Sequence, residues 1–326
     1  MDAQILIPLL DDWESARRLL ADLEVAAAAA DQRYAVLLVD DGSSEACPFG
    51  AELAATLPRL RPLELATLAV NQGHARAIAV GLALLAERPG DAPLLVMDGD
   101  GEDRAQDVPR LVEAGRGHRR IVVAERRRRT ERLGFRLFYG LYKLLFRLLT
   151  GRRISFGNFC LIPAGVARRL VHRTELWSHL AGTLVAGRWP IERLPTDRGR
   201  RYAGHSKMNL PTLVQHGLGA IAVDLDRVLA RVLLLLSLVI AVLGLALAGI
   251  VAVRILTDLA IPGWATTAFG LVAILFLQSV VFAFLLLFVS LRTRGLQSVV
   301  PARDWRDYLL DTRRLDQARL DQGREP

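Results

Sequence analysis

Short apolar runs alternate with helix-like patterns through the first two hundred residues of the chain. Each run is too brief for a helix and rich in Val, Ile and Leu, which is typical of buried strands. The predicted strands are residues 5–7, 34–39, 63–70, 94–97 and 121–124. The predicted helices cover residues 11–30, which open with a capping-box pattern, and residues 49–57, 74–87 and 108–114. Strands separated by helices predict an α/β domain with a mostly parallel sheet.

Two long uncharged stretches follow this domain. Residues 232–253 contain no charged side chain, and residues 268–290 are the most apolar part of a second uncharged stretch. As a helix, the first stretch spans roughly 33 Å, which is enough to cross a bilayer. A buried core helix would explain one such stretch, but two in tandem predict a C-terminal transmembrane hairpin.

The charges around the hairpin predict its orientation. The only charged residues of its connecting loop are Arg254 and Asp258, whereas several arginines flank the two outer ends of the hairpin. These are Arg227, Arg231, Arg292, Arg294, Arg303 and Arg306. The positive-inside rule therefore places the α/β domain and both termini on the cytoplasmic side of the cytoplasmic membrane. The predicted boundaries are 1–207 for the domain, 208–231 for an amphipathic segment beside the membrane, and 291–326 for a tail with a helix around 305–315.

The formal net charge of +8 matters less than its distribution. Much of the basic excess lies beside membrane-facing segments, which favours anionic lipid and phosphate ligands over nucleic acid. Four basic residues share one helical face in and directly before residues 133–149, so this helix is predicted to lie in the membrane interface. They are Arg132, Arg136, Lys143 and Arg147. The alternative is an amphipathic helix packed on the sheet.

Polar signatures follow the carboxyl ends of four predicted strands. They are residues 9–12, 40–41, 71–74 and 98–103. Ligands of open α/β sheets bind at these ends, so the four signatures are predicted to form one site. Residues 98–103, the acidic loop, hold four carboxylates separated by glycines. Asp98, Asp100 and Glu102 are predicted to share a divalent cation, Mg²⁺ or Mn²⁺. The alternative is a solvated acidic turn.

Four motifs together resemble a known family. They are Val39-Asp40-Asp41-Gly42-Ser43, Asn71-x-Gly73-His74, Met97-Asp98-Gly99-Asp100 and Tyr202-Ala203-Gly204-His205-Ser206-Lys207. In this order, ahead of a hairpin, they resemble inverting family 2 glycosyltransferases with the GT-A fold. The similar branch is the polyprenyl-phosphate glycosyltransferases, which include dolichol-phosphate mannose synthase and bactoprenol glucosyltransferases. The resemblance implies metal-dependent transfer from a UDP- or GDP-linked sugar to a polyprenyl phosphate such as undecaprenyl phosphate.

The resemblance also implies roles for individual residues. Those implied to contact the nucleotide sugar are Pro8, Asp40, Asp41, Gly73, His74 and Asp98. Those implied to hold the cation against the diphosphate are Asp98, Asp100 and Glu102, the last in place of a family Gln. Those implied to bind the acceptor phosphate are Arg126, Arg129, Ser206 and Lys207. The implied catalytic set is Asp100, Glu102, Asp103 and Asn158. Helix caps and solvated charge remain the alternatives for Asp40, Asp41, His74 and the arginines.

The chain departs from the family pattern at two places. Leu9-Leu10-Asp11-Asp12 replaces a pattern with Tyr and Asn, so both UDP and GDP stay open. Asn158 stands where the family often has Asp, and an amide cannot act as a base. A phosphate acceptor needs no base, because its second pKa lies near 6. Transfer to a lipid hydroxyl with Asp103 as base, and a catalytically silent nucleotide-sugar-binding scaffold, are the alternatives. A homo-oligomer also stays open.

Overall fold

The structure, a computed structural model, describes residues 1–117, 120–126, 147–151, 156–203, 218–257, 263–295 and 299–317. The chain forms two compact units. One comprises Met1–Tyr142, Arg152–Val223 and Val299–Pro326, and the other comprises Lys143–Gly151 and Asp224–Ser298. The first unit carries the sheet, and the second carries the two long apolar helices.

The described strands form one mixed sheet. They are β1 (Ala3–Leu9), β2 (Tyr34–Asp40), β3 (Leu60–Leu68), β4 (Leu94–Val96), β5 (Ile121–Arg126), β6 (Cys160–Ile162), β7 (Ile191–Thr196) and β8 (Leu309–Arg314). Their order across the sheet is β7-β5-β6-β4-β1-β2-β3-β8. β1 pairs in parallel with β2 and β4, β2 with β3, and β5 with β7, whereas β6 and β8 are antiparallel to their neighbours. The predicted mostly parallel sheet is confirmed.

The described helices follow the predicted pattern. They are α1 (Trp13–Ala29), α2 (Ala51–Ala55), α3 (His74–Ala86), α4 (Val108–Gly115), α5 (Ala164–Leu170), α6 (Leu180–Ala186), α7 (Leu225–Leu256), α8 (Trp264–Gly295) and α9 (Pro301–Asp304). The first four lie close to their predicted bounds. Sequence reasoning missed the helices α5 and α6. It also missed the strands β6 and β7, which lie with β5 on the side of the sheet beyond β4.

Helices cover both faces of the sheet. All residues of β1 and β2 are buried, as in parallel sheets that are packed on both sides. Because side chains alternate along a strand, Ile5 lies in one core with Leu19 of α1, while Leu6 lies in the other with Leu82 of α3. This packing fixes the central strands, and therefore the positions from which their loops leave the sheet.

The tail after α8 differs from its prediction. The helix expected around residues 305–315 is wrong, because a 3₁₀ turn at Trp305–Tyr308 leads into β8, which pairs antiparallel with β3. Without β8, the backbone groups of β3 would be unpaired at the sheet edge. Trp305 and Leu315, on either side of β8, are both buried. The tail is therefore part of the sheet.

The second unit contains the predicted hairpin. α7 and α8 are long and apolar enough to cross a membrane, and their most apolar windows are not buried within the structure. Both predicted spans lie inside these helices, although α7 begins earlier than predicted. Of the two segments predicted to ride on the membrane, residues 133–146 of the helix at 133–149 and residues 208–217 of the segment at 208–231 lie outside the described residues.

Candidate active site

Loops from neighbouring strands meet at the carboxyl edge of the sheet. β1 and β2 end side by side, since Leu9 pairs with Asp40. β4 runs on the other side of β1, where Val96 pairs with Leu6. α3 begins at His74, shortly after β3 ends. The structure thus brings together the strand ends at which the sequence predicts a site.

The loop after β1 is tied to the loop after β2. Asp11 Oδ1 accepts hydrogen bonds from the backbone N–H of Ser44 at 2.7 Å and from its hydroxyl at 2.8 Å. In return, Ser43 Oγ accepts a hydrogen bond from Asp11 N at 2.9 Å. Asp11 has a φ of 51°, a left-handed conformation that is unfavourable for most side chains. The residues that replace the family pattern therefore shape this loop.

Asp40 and Asp41 organise the loops after β2 and β3. Asp40 Oδ1 accepts a hydrogen bond from Ser43 N at 2.9 Å. The carboxylate of Asp41 accepts hydrogen bonds from Gln72 N at 2.7 Å and from Gly73 N at 2.9 Å, just before α3. Burial raises the pKa of Asp41, against the lowering effect of these two bonds. Both carboxylates thus hold the loops after β2 and β3 in place at the carboxyl edge of the sheet.

His74 connects the start of α3 to the acidic loop. Its Nε2 lies 3.2 Å from Asp98 Oδ1 and 3.0 Å from Asn158 Nδ2. Burial alone would lower the pKa of His74, but the Asp98 carboxylate together with the charges of Asp41 and Asp100 raises that pKa. Burial alone would likewise raise the pKa of Asp98, but His74 together with Arg126 and Asn158 lowers that pKa. Each group therefore stabilises the charged form of the other, with Asn158 beside them.

Asp103 is the buried support of the acidic loop. Its side chain is only 6% exposed. Oδ2 accepts a hydrogen bond from Asp98 N at 3.0 Å, and Oδ1 accepts one from Arg126 Nη2 at 3.3 Å. Burial and the nearby Asp98 carboxylate raise the pKa of Asp103 to about 7. Arg126, at the end of β5, thus places a positively charged guanidinium group at this edge of the sheet.

Two arginines that follow β7 hold the remaining carboxylates of the acidic loop. Arg198 Nη2 lies 2.6 Å from Glu102 Oε1, and its Nε lies 3.1 Å from Oε2. Arg201 forms an ion pair with Asp100, whose pKa is raised by burial. Sequence reasoning missed both arginines. The signal was the charged run of residues 197–201, directly before the last family motif.

Two of the carboxylates fit a divalent cation. The buried Oδ1 of Asp98 receives no hydrogen bond of good geometry from the described residues, so a cation would satisfy it. Mg²⁺ is typically held by one or two carboxylates together with substrate phosphates, which Asp98 and Asp100 would suffice to provide. Among the described residues, no group of three or more Asp, Glu, His or Cys side chains is arranged around one point. The predicted trio with Glu102 is therefore not assembled.

The other predicted site residues have varied positions. Pro8 is buried within β1 and pairs with Val39 of β2. Arg129, Ser206 and Lys207 lie outside the described residues. Predicted site residues that contact one another at the sheet edge include His74, Asp98, Asp103, Arg126 and Asn158. Their roles in binding and transfer stay predictions.

Comparison with known proteins shows that this chain is similar to glycosyltransferases. The sequence model described as glycosyl transferase family 2 matches residues 4–170. Undecaprenyl-phosphate 4-deoxy-4-formamido-L-arabinose transferase of Edwardsiella ictaluri (strain 93-146) is 29% identical over 285 residues, which cover 84% of this chain and 82% of that protein. The protein of the same description from Salmonella choleraesuis (strain SC-B67) is 26% identical over 288 residues, covering 83% and 82% of the two chains. Among solved structures, mannosyl-3-phosphoglycerate synthase from Rubrobacter xylanophilus matches with a TM-score of 0.49 and 17% identity, over 69% of this chain and 73% of that one.

Fold and site together define the class. A mixed sheet covered by helices, with an acidic loop at the carboxyl edge of its parallel strands, is the architecture of a GT-A glycosyltransferase. The family match runs from β1 to the end of α5 and includes the loops that carry Asp40, Asp41, His74 and the acidic loop. The chain belongs to glycosyl transferase family 2, as its motifs predicted.

Proposed function

We propose that this chain transfers a sugar from a nucleoside-diphosphate donor to a polyprenyl phosphate at the surface of the cytoplasmic membrane. The observation that carries the proposal is a family 2 site with a buried Asp98 oxygen that lies beside His74 but makes no well-directed hydrogen bond with the described residues, in the same chain as two membrane-length helices. The names of the relatives, which are undecaprenyl-phosphate sugar transferases, support the same acceptor class.

The donor would bind along the carboxyl edge of the sheet. The loops held by Asp40 and Asp41 would surround the nucleoside, and Asp98 and Asp100 would hold Mg²⁺ or Mn²⁺ beside the diphosphate. Such a cation supplies neutralisation of the negative charge that develops on the departing diphosphate. Against the effect of burial, His74 with Arg126 and Asn158 lowers the pKa of Asp98, which favours the ionised form that binds a cation. UDP and GDP are equal candidates for the donor nucleotide, because residues 9–12, which replace the family pattern, assign neither base.

A phosphate acceptor suits the charges of this site. A phosphate monoester is already ionised near neutral pH, so no side chain has to remove a proton from it. Arg126, a third exposed, would help to attract the acceptor phosphate, and the predicted contact at Arg129 would add to it. Attack from the side opposite the diphosphate inverts the anomeric centre, so catalysis rests on alignment and charge.

Asp103 argues against a lipid hydroxyl as acceptor. Its pKa of about 7 would suit a general base. However, its side chain is almost fully buried, and both oxygens already accept hydrogen bonds from Asp98 N and Arg126. A base must reach the proton that it removes, and this geometry favours a supporting role.

The experiment is a product analysis with a panel of donors. Purified full-length protein is incubated with UDP- and GDP-linked sugars and either undecaprenyl phosphate or undecaprenol, and the lipids are analysed by mass spectrometry. We expect a glycosylated product from the phosphate alone, lost with EDTA and in Asp100→Ala. Product from undecaprenol but not from the phosphate would contradict the acceptor, and activity that survives both EDTA and Asp100→Ala would contradict the cation.

A further inference from the structure

Residues 197–203, here called the arginine strap, lie against the acidic loop through main-chain hydrogen bonds. Gly199 N donates to the carbonyl oxygen of Glu102 at 2.9 Å. Tyr202 N donates to the carbonyl oxygen of Asp100 at 2.9 Å. The strap and the acidic loop therefore keep a fixed register, although they are far apart in sequence.

Glycines and an anchor on α1 permit this close approach. A Cβ on Gly199 would lie 2.1 Å from Gly101 O, and a Cβ on Gly101 would lie 2.4 Å from the ring of Tyr202. Neither position tolerates a side chain in this arrangement. The Tyr202 hydroxyl donates to Asp22, and Arg18 Nη1 donates to Tyr202 O at 3.1 Å. One end of the strap is thus fixed to α1.

Arg198 binds the other end of the strap to the acidic loop. Its guanidinium contacts both oxygens of Glu102, at 2.6 Å and 3.1 Å. Bidentate pairs of this kind are directional as well as charged. The Glu102 side chain is 18% exposed. Arg126 Nη1 lies 3.7 Å from Glu102 Oε2, so a second guanidinium group also stabilises the negative charge of Glu102. Glu102 must lose its ion pair with Arg198 before it can bind a metal ion.

We propose that Arg198 is a positioning residue that holds Glu102 out of the cation site and keeps the arginine strap against the acidic loop. The proposal rests on the proposed function, in that the site takes a divalent cation with a nucleoside diphosphate. It assigns the cation to Asp98 and Asp100. Among the described residues, Asp100 is paired with one arginine, Arg201, which the cation would have to displace, whereas Glu102 is contacted by both Arg198 and Arg126. Glu102 therefore has a different task from the one that the family resemblance implies. Glu102 anchors the strap.

The test is binding of Mn²⁺ to the full-length protein in detergent, measured from the electron paramagnetic resonance signal of free Mn²⁺. Titrations contain UDP or GDP and no acceptor. Glu102→Gln should leave the Mn²⁺ affinity unchanged. Arg198→Ala should tighten Mn²⁺ binding by about three-fold or more, because a freed carboxylate adds a ligand charge. The double variant Arg198→Ala/Glu102→Gln should return to the wild-type affinity.

Arg200→Ala is the matched control, because Arg200 is exposed on the same strap and has no ion pair among the described residues. It should change neither Mn²⁺ affinity nor backbone hydrogen exchange of residues 197–203. Arg198→Ala should speed that exchange, and Arg198→Lys should restore it partly, since Lys cannot form the bidentate pair.

Three results would overturn the proposal. These are weaker Mn²⁺ binding by Glu102→Gln, unchanged Mn²⁺ binding and strap exchange in Arg198→Ala, and no Mn²⁺ binding by any variant. Transfer to polyprenyl phosphate enters none of these readouts, so a wrong acceptor would leave the result of this test intact.

Discussion

Asn158 stands beside the two charged groups at the centre of the candidate site. Its Nδ2 lies 3.0 Å from His74 Nε2, which in turn lies 3.2 Å from Asp98 Oδ1. An Asp at this position would add an anion that competes with Asp98 for His74 and repels an incoming phosphate. We therefore expect Asn158→Asp to lower the initial rate of transfer to a lipid phosphate, measured against acceptor concentration.

Asn158→Ala is the control for that substitution, since it removes the amide without adding charge. It should reduce the rate less than Asn158→Asp does. A large gain in rate for Asn158→Asp would mean that the site lacks a base, and would therefore contradict a phosphate acceptor.

Individual site residues differ in how well the sequence predicts them. Asp98 and His74 follow strands, so the rule that parallel strands end at one edge suffices to bring them together. Arg198 and Arg201 are 96 and 101 positions from the carboxylates that they bind. Their pairing depends on β7, a strand that the apolar pattern did not reveal. Local signals therefore identified the acidic groups but not their counter-ions.

At the scale of elements, the C-terminal tail adds an edge strand and part of a core. Trp305 lies in the same core cluster as Leu82 of α3, and its indole N–H donates to Glu87 at 2.9 Å. Leu310, within β8, is 70% exposed. The tail combines few apolar residues with many charges, so its sequence gives no strand pattern. Only the open edge of β3 explains why it becomes a strand.

These two positions form a matched pair for testing the tail. Trp305→Ala should lower the free energy of unfolding of the first unit by about 3–5 kcal/mol, because it empties a buried site and removes the indole hydrogen bond to Glu87, which keeps its ion pair with Arg306. Leu310→Ala should change it by less than about 0.5 kcal/mol, as is usual at exposed positions. Thermal unfolding of the full-length protein in detergent measures both. Equal effects of the two substitutions would show that the tail does not pack on α3.

At the scale of the whole molecule, chain connectivity limits the topology. The chain leaves the first unit after Val223, forms α7 and α8, and re-enters the first unit at Val299. β8 then pairs with β3 in the same sheet, so residues before and after the hairpin belong to one folded unit. A folded sheet cannot be divided by a bilayer, since its ladder would be left open in hydrocarbon. Any membrane that the chain crosses must therefore be crossed an even number of times.

The last prediction follows from this even number and from the charges at the two ends of the hairpin. α7 contains 32 residues and would be roughly 48 Å long, so it exceeds the hydrocarbon thickness and leaves room for interfacial turns. Arginines flank its start, while the loop near Gly263 has little charge, so the sheet should lie in the cytoplasm. Reporter fusions at Gly263 and after Pro326 should give opposite readouts, with the C-terminal fusion cytoplasmic. The same readout at both points would show that α7 and α8 do not each cross the membrane, and a periplasmic C-terminal fusion would contradict the charge rule.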